Sequence, residues 1–253
     1  MAAKIVIDAG HGGTDPGAVY YGRQEKDDNL RLALAVGRIL EDNGYQVVFT
    51  RQTDVYNSPY EKATIGNNAD ADFFVSFHRN SVEADNSASG VMTLVYDDSG
   101  VKARLARAIN ANLAEVGFDN LGVSIRPNLV VLRDTQIPSV LIEAGFINSD
   151  EDNQIFDDRF YDMAQGIADA IMDTVEEEQA IRYYVQTGLF RSVENAQELA
   201  DRLWYFGYPA DVDYYNGYYR VLVGPYISLE QVATTERQLR NNGFQTLVIQ
   251  QNG

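Results

Sequence analysis

The stretch MAAKIVIDAGHGGTDPG, residues 1–17, determines how the rest of the chain is interpreted. Lys4 to Asp8 is a short β-branched run that predicts a buried parallel strand, and the Gly-, Asp- and Pro-rich segment behind it predicts a loop. His11 therefore follows a strand directly, at the position where the carboxyl ends of an open α/β sheet form a ligand crevice. The flanking glycines allow the backbone at His11 to turn tightly and to approach a ligand or metal closely.

The second of the two histidines and one glutamate stand in comparable places. Glu25, in GRQEKDDNL, begins the next helical pattern, and His78, in ADFFVSFHRNS, directly follows the apolar run from Phe73 to Phe77. Two histidines and one carboxylate form a ligand set that holds catalytic zinc and leaves a fourth position open for water. Each side chain alone is more simply a capped or solvated residue, so the metal hypothesis depends on all three together.

A further carboxylate follows a buried run in the segment IPSVLIEAGFIN. Ser139 to Ile142 predicts a strand, with Glu143 at its carboxyl end. Burying a carboxylate there is costly unless it has a partner. An activated water would be such a partner, which makes Glu143 a candidate general base and acid in a metal-assisted hydrolysis. Capping of the following helix explains Glu143 equally well when this segment is considered alone.

The chain from about Lys4 to Thr174 resembles the zinc-dependent N-acetylmuramoyl-L-alanine amidases that degrade bacterial peptidoglycan. The segments that carry the resemblance, in this order, are DAGHGGTDPGA, GRQEKDDNL, the TR of VVFTRQTD, FFVSFHRNS and PSVLIEAGFIN. The resemblance implies that Glu143 is the catalytic acid and base. The zinc ligands that it implies are His11, Glu25 and His78. Arg79 stands where small residues are commoner in the family, a departure that concerns local substrate contacts rather than the metal site.

Composition and charge limit the classes of function. Hydrophobic residues make up 45% and charged residues 23% of 253 residues, as in an ordinary globular protein. No apolar run approaches the ~18–20 residues of a membrane span, so no membrane insertion is expected. The net charge of -17 is uneven, with 14 basic and 30 acidic residues in 1–178 against 6 and 7 in 179–253. Nucleic-acid binding requires clustered Lys and Arg, so a nucleic-acid partner is not expected.

Two further features concern compartment and metal chemistry. The chain has no cysteine, so only histidines and carboxylates remain as metal ligands. MAAKIVID enters the first predicted strand at once, without the pattern of a signal peptide. The sequence therefore predicts a protein made in the cytoplasm that acts at the cell wall after lysis or holin-type release.

Strand and helix patterns alternate up to about residue 175, which predicts an α/β domain with a mostly parallel twisted sheet flanked by helices. The predicted helices are 28–43, 59–68, 99–115 and 158–177. The predicted strands that follow the first are 46–49, 73–77, 91–96, 128–133 and 139–142, with a loop at 119–126. Arg133 ends one of these strands and could reach the cleft to bind a stem-peptide carboxylate or steady Glu143, although a surface ion pair explains it equally well. Asn80 is the other secondary candidate for substrate contact.

Residues 182–253 contain an internal repeat at a constant offset, in which Val185 matches Val221 and Gly207 matches Gly243. Each copy predicts a strand, a helix and a second strand, so two copies form a small α+β, ferredoxin-like βαβ-βαβ domain with a four-stranded antiparallel sheet. The predicted organisation is a catalytic domain at 1–175, a linker at 176–181 and a second domain at 182–253.

The segments YYVQTGLFRSVENAQELADRLWYFGY and YYRVLVGPYISLEQVATTERQL resemble a SPOR domain, a peptidoglycan-binding module whose family prefers glycan strands stripped of stem peptides. Strand alternation directs one ring of each adjacent tyrosine pair outward, where it suits stacking on a sugar ring. Core packing explains some of these rings as well. Nucleobases could stack in the same way, but the Lys and Arg that would neutralise phosphate are missing. The glycan-binding candidates are Tyr184, Phe190, Tyr219 and Tyr226.

Both parts of the chain thus indicate peptidoglycan as the substrate. The leading hypothesis is a zinc hydrolase, either a phage lysin or an autolysin, that cleaves the amide between N-acetylmuramic acid and L-alanine and is targeted by a glycan-binding module. One alternative is another peptidoglycan zinc hydrolase, such as a peptidase or deacetylase. The other is a non-catalytic cell-wall-binding protein, which would have no need for all four proposed site residues.

Overall fold

The computed structural model describes the backbone of residues 2–252 and the side chains of residues 2–178 and 182–251. The chain divides after Val175 into two compact units. The strands of the first unit are β1 (Lys4–Ala9), β2 (Val19–Tyr20), β3 (Arg23–Gln24), β4 (Gln46–Phe49), β5 (Phe73–Asn80), β6 (Val91–Val95), β7 (Asn120–Ile125) and β8 (Ser139–Phe146). The helices that begin in it are α1 (Glu25–Asp42), α2 (Pro59–Asn68), α3 (Gly100–Val116), α4 (Val130–Arg133), α5 (Asp150–Asp158) and α6 (Phe160–Ala180). Across the described residues, no helix combines the length and apolarity that a membrane span needs.

One six-stranded sheet, in the order β4-β1-β5-β8-β6-β7, organises the first unit. Its neighbouring strands are parallel, except that β6 runs antiparallel to β8. The mostly parallel α/β arrangement predicted from the alternation of strands and helices is therefore confirmed. Because β1, β5 and β8 are parallel, their carboxyl ends meet at one edge of the sheet, where His78 lies in register with Glu143.

Alternation along the strands divides their side chains between two apolar layers. The larger layer contains Ile5 and Phe77 and packs against α1, α3 and α6. The smaller layer, on the other face, contains Val6 and Leu141 and packs against Val131 of α4. Each such fully buried aliphatic or aromatic side chain contributes ~1.5–3 kcal/mol relative to an exposed one. Both faces of the sheet are thus covered, as a parallel sheet requires.

Two segments of the first unit differ from the sequence prediction. Residues 120–125 form β7 where a loop was expected, and the expected strand 128–133 contains the short helix α4 instead. The prediction that Arg133 ends a strand is therefore wrong. A short apolar run such as 129–132 fits a buried strand and a helical turn equally well by its periodicity. β7 lies at the edge of the sheet, and its short alternation of Leu121, Val123 and Ile125 is interrupted by Gly122, a residue that favours a loop prediction.

The second unit repeats one strand-helix-strand arrangement. Its elements are β9 (Ile181–Phe190), α7 (Val193–Tyr205), β10 (Ala210–Tyr215), β11 (Tyr218–Tyr226), α8 (Leu229–Asn241) and β12 (Leu247–Asn252). The strands form an antiparallel sheet in the order β10-β11-β9-β12. The repeat extends to the helix caps, because Ser192 and Ser228 each accept a hydrogen bond from the backbone three residues on. The predicted α+β fold is confirmed.

The expected linker at 176–181 is not an irregular segment in the structure. Helix α6 continues as far as Ala180, and β9 begins at Ile181. Glu, Gln and Ala have high helix propensity, so the acidic run that suggested a boundary extends the helix. The boundaries 1–175 and 182–253 stay predictions.

Asp8 connects neighbouring elements at the edge of the sheet where the carboxyl ends of the strands lie. Its fully buried carboxylate accepts hydrogen bonds of 2.6 Å from Thr50, just after β4, and of 2.6 Å from Ser76 of β5. Lys62 of α2 lies 3.0 Å away and forms a buried ion pair with it. Burial alone would raise the pKa of Asp8, but the Lys62 ammonium and the two hydroxyls outweigh burial and lower it. Asp8 is therefore ionised in the folded chain and joins β1, β5 and α2.

We expect this carboxylate to make stability depend on pH. A carboxyl whose pKa is lowered by folding stabilises the protein above its unfolded pKa of ~3.9 and loses that contribution as the pH falls toward the folded value. Asp8→Asn should cost about 3–5 kcal/mol at pH 7, since it leaves Lys62 buried without a counter-charge. It should also show a weaker loss of stability than the native chain below pH ~4.

Urea unfolding of both proteins at a series of pH values measures this difference. Asp173→Asn is the matched control, because Asp173 is an exposed carboxylate in α6. It should follow the native pH dependence. The same acid-induced loss in Asp8→Asn as in the native chain would contradict the assignment.

Candidate metal centre

Three side chains from three elements meet at the carboxyl edge of the sheet. His11 lies in the loop after β1, Glu25 is the first residue of α1, and His78 lies in β5. His11 Nε2 is 3.1 Å and His78 Nδ1 is 2.9 Å from Glu25 Oε1. One ligand atom from each residue lies within 4.8 Å of the other two. The structure therefore brings together the three residues that the sequence predicts as metal ligands.

The separations between these three side chains fit a single small cation. Ligand atoms that each lie ~2.0–2.1 Å from a tetrahedral ion are ~3.3 Å apart, only slightly more than the two nitrogen-to-oxygen distances found here. Imidazole nitrogen and carboxylate oxygen are both donors that zinc accepts. The chemistry and the spacing of the donor set thus agree with a zinc ion.

Glu25 is held as a fixed anion. Its side chain is only 6% exposed. Burial alone would raise the pKa of Glu25, but its hydrogen bonds to His11 and His78 and their charges outweigh burial and hold it well below its usual range. Its oxygens also accept hydrogen bonds from Ala18 N (2.9 Å), Asn29 Nδ2 (3.2 Å) and Arg79 N (3.2 Å). The position of Glu25 at the start of α1 adds the favourable dipole of a helix N-terminus.

Asp15 orients His11. Asp15 Oδ2 lies 2.8 Å from His11 Nδ1, which leaves Nε2 facing Glu25. Burial lowers the pKa of His11, but Glu25 and then Asp15 outweigh it and raise this pKa above its ordinary value. A carboxylate on the outer nitrogen of a ligand histidine fixes its tautomer and ring orientation. Asp15 is not among the site residues predicted from the sequence, although its place four residues after His11 in the same loop is a signal for such a partner.

Gly10 and Gly17 lie where any larger residue would collide with the side chains of the cluster. A Cβ at Gly10 would lie 2.4 Å from the His78 ring. A Cβ at Gly17, where φ is +66°, would lie 2.6 Å from Glu25 Oε2 and 2.7 Å from His11 Cδ2. These distances are shorter than any real Cβ contact, so a side chain at either position would displace a member of the cluster.

Arg51, the arginine of the TR segment, holds the backbone beneath the cluster. Its guanidinium donates to Ala9 O at 3.1 Å, Gly10 O at 2.9 Å and Lys26 O at 2.8 Å. These carbonyls come from the end of β1 and the first turn of α1. The planar set of donors on arginine satisfies several acceptors at once. Arg51 therefore fixes the loop of His11 against the helix of Glu25.

Arg79 does not contribute to the surface of the site. Its side chain is 0% exposed and donates to Asp28 Oδ2 at 2.6 Å. The guanidinium also lies 4.3 Å from the ring centre of Phe156, and burial lowers its pKa to about 10. The departure from the family pattern at Arg79 thus concerns packing behind the cluster rather than substrate contact.

Glu143 lies next to the cluster on β8 and carries an unsatisfied oxygen. Among the described residues, Glu143 Oε2 is buried without a hydrogen-bond partner. Burial raises the pKa of Glu143. A buried carboxylate oxygen without a partner is costly, so its presence indicates a group that binds something other than protein.

The two secondary candidates each have a contact with a neighbouring residue in the chain. Asn80 is at the end of β5, and its side-chain oxygen accepts a hydrogen bond from Ser81 N at 2.8 Å. Arg133 is exposed at the end of α4 and forms an ion pair of 2.7 Å with its neighbour Asp134. The surface ion pair, which the sequence left open as the simpler explanation, is the contact found for Arg133.

The four glycan candidates of the second unit do not share one face. Tyr184 lies between Tyr183 and Val185, which both belong to the core beneath α7 and α8, so strand alternation directs Tyr184 to the opposite face of the sheet. The other three rings pack against that same core, and they are Phe190, Tyr219 and Tyr226. These three rings therefore do not provide the outward surface that the sequence predicts at their positions.

Comparison with known proteins adds independent findings. Residues 5–173 match the N-acetylmuramoyl-L-alanine amidase family, and residues 179–250 match the SPOR domain. The sporulation-specific N-acetylmuramoyl-L-alanine amidase of Bacillus subtilis (strain 168) is 34% identical over 206 residues, which cover 78% of this chain and 79% of that protein. The probable cell wall amidase LytH of Staphylococcus aureus is 34% identical over 172 residues, which cover 67% of this chain and 56% of that protein. The crystal structure of N-acetylmuramoyl-L-alanine amidase from Clostridium difficile 630 aligns with a TM-score of 0.65 at 32% identity, over 69% of this chain and 97% of that one.

The role of Asp15 leads to a prediction about metal affinity. Asp15→Ala should lower the affinity for zinc by about 10- to 100-fold, since His11 loses the partner that fixes its ring. The fold should be retained, because Asp15 is half exposed and lies outside both apolar layers. Competition with a chromogenic chelator measures the affinity, and thermal unfolding checks the fold. Asp27→Ala, an exposed carboxylate nearby in α1, is the control that should leave affinity unchanged. Native zinc affinity in Asp15→Ala would contradict the orienting role.

Proposed function

The chain belongs to the N-acetylmuramoyl-L-alanine amidase family and is an enzyme that hydrolyses peptidoglycan amide bonds, and we propose that it does so with a zinc ion held by His11, Glu25 and His78. The bond cleaved joins N-acetylmuramic acid to L-alanine. The observation that carries the proposal is the convergence of three metal donors beside Glu143, whose buried oxygen has no partner among the described residues.

Each residue of the site has a separate role in the hydrolysis. When bound, zinc supplies Lewis-acid polarisation of the scissile carbonyl and a lower pKa for water. His11 and His78 would each present one ring nitrogen to it, and Glu25 contributes the negative charge. Glu143 Oε2 accepts a proton from the attacking water and passes it to the amide nitrogen of the leaving alanine. A pKa raised by burial suits a carboxyl that must hold a proton between these two steps.

Substitutions at the cluster should separate metal binding from proton transfer. His11→Ala and His78→Ala should lose both bound zinc and activity while the chain stays folded, because neither side chain belongs to the apolar layers. Glu143→Gln should keep the metal and lose turnover by about 10²- to 10⁴-fold, since only the proton acceptor is removed. Zinc content is measured by mass spectrometry of the metal, and activity by the appearance of N-terminal alanine in digested peptidoglycan.

Each readout can overturn a different part of the proposal. Full zinc stoichiometry in either histidine variant would refute the ligand assignment, and native turnover in Glu143→Gln would assign proton transfer to another group. Acetate release, or a cut within the stem peptide, would mean that the enzyme acts on a different bond.

For the second unit we propose binding to the glycan strands of peptidoglycan. Support comes from the match of residues 179–250 to the SPOR domain and from the position of Tyr184 on the sheet face away from the helices. On that face Arg220 of β11 lies 4.0 Å from the ring centre of Tyr215 of β10, and it forms an ion pair with Asp213. An aromatic ring flanked by polar groups suits a sugar, which has both an apolar face and hydroxyls.

We further propose that the enzyme is an autolysin acting at the cell wall. The relatives named above are a sporulation-specific amidase and a probable cell wall amidase of two bacteria, which supports an autolysin over a phage lysin.

The open face of the second unit yields a prediction about wall binding. Tyr184→Ala should weaken co-sedimentation of the full chain with purified peptidoglycan by roughly 5- to 30-fold. This range takes the ~1–3 kcal/mol of a nucleobase stacked on an aromatic side chain as the scale for a stacked sugar ring. Hydrolysis of small soluble muropeptides should be unchanged. Tyr161→Ala, which removes a 78% exposed ring from α6, is the control and should sediment like the native chain. Native sedimentation of Tyr184→Ala would exclude this face from binding.

A further inference from the structure

A cleft of about 260 Å³ opens beside the candidate metal centre on the face of the sheet covered by α2 and α4. His11 and His78 line it at the centre itself. The buried ion pair of Asp8 and Lys62 also lines it, so this pair borders the space in which a substrate would lie. The remaining lining includes four aliphatic residues, Leu129, Val130, Val131 and Leu141.

Lys62 has one more donor than it uses. Its side chain is 4% exposed, and Nζ lies 2.7 Å from Ala9 O and 3.0 Å from Asp8 Oδ1. An ammonium carries three N–H groups, and Nζ contacts only these two acceptors among the residues that the structure describes. One N–H is therefore unsatisfied in a nearly buried group, which is costly unless a ligand supplies the acceptor.

The net charge of the Asp8–Lys62 ion pair indicates which kind of ligand atom would accept the free N–H of Lys62. Lys62 is the only lysine or arginine among the residues that line the cleft in the described part of the chain, but Asp8 already neutralises it. A second carboxylate would meet the negative charge of Asp8 as well as the ammonium. An uncharged carbonyl oxygen accepts the free N–H without that repulsion, so an amide is the favoured ligand.

The position of the cleaved bond indicates which amide of the substrate would lie near Lys62. This step rests on the proposed function, in which the alanyl nitrogen leaves from a carbonyl at the metal centre. The first residue on the leaving side is then an alanine, which carries one methyl group and one carbonyl. We propose that the cleft is the subsite for this residue, with Lys62 Nζ donating to the alanyl carbonyl oxygen and Leu129, Val131 and Leu141 packing around the methyl group. Lys62 is thus a substrate-contacting residue, and Asp8 positions it.

The experiment pairs two substrates with two forms of the full-length, zinc-loaded protein. The substrates are N-acetylmuramoyl-L-alanine methylamide and N-acetylmuramoyl isopropylamide. In the second, a methyl group replaces the whole N-methylcarboxamide of the alanine, including the carbonyl oxygen. The variant is Asp8→Asn with Lys62→Met, because Lys62→Met alone would leave Asp8 buried and unpaired. The measured quantity is the preference, the ratio of kcat/KM for the two substrates. Differences in leaving-group reactivity are the same for both proteins and cancel when their preferences are compared.

The preference of the native protein for the alanine methylamide should exceed that of the double variant by about tenfold or more, as expected for one lost hydrogen bond to a charged donor. Zinc content and thermal unfolding of the double variant should stay close to native. Equal losses on both substrates would overturn the subsite and leave Lys62 a structural role. Cleavage of neither substrate by the native, zinc-loaded protein would overturn the proposed function itself, so the two failures are distinguishable.

Discussion

Glu25 carries a negative charge that is almost entirely removed from water, and the edge of the sheet is arranged around that charge. A buried carboxylate is stable only with compensating donors and charges. The two imidazoles and the two backbone amides that supply these donors come from the loop between β1 and β2 and from β5. Those donors converge only when β1 and β5 pair in the observed register. The fold and the candidate metal centre therefore depend on the same strand pairing.

Two further pairs of buried charged side chains lie around this centre. Asp8 with Lys62 lies on the side of the cleft, and Arg79 with Asp28 lies behind the cluster. Such pairs add little stability compared with apolar residues of the same volume, because desolvation offsets their attraction. The apolar layers elsewhere supply the stability. At this edge the charges fix geometry instead, since an ion pair with additional hydrogen bonds allows only a narrow set of positions for the backbone that carries the histidines.

The sequence predicts the cluster because every member has a local signal. His11 follows a strand run, His78 comes at the end of another, and Glu25 opens a helix. Lys62 shows the limit of such signals, because it resembles an ordinary solvated residue of an amphipathic helix and its burial depends on Asp8, far away in the chain. Tyr219 shows another limit, because side chains alternate at every residue and an error of one position reverses the predicted face. β11 also has shifts in register, which no local pattern reveals.

X-ray absorption at the zinc edge of the loaded native protein tests the central claim most directly, since it reports the ligands of the metal itself. The account predicts one zinc ion per chain with only nitrogen and oxygen neighbours at ~2.0–2.1 Å, and with the scattering pattern of two imidazole rings. Fewer than two imidazoles, or a shell of six oxygens, would contradict the assignment of His11, Glu25 and His78 as one tetrahedral site with an open position.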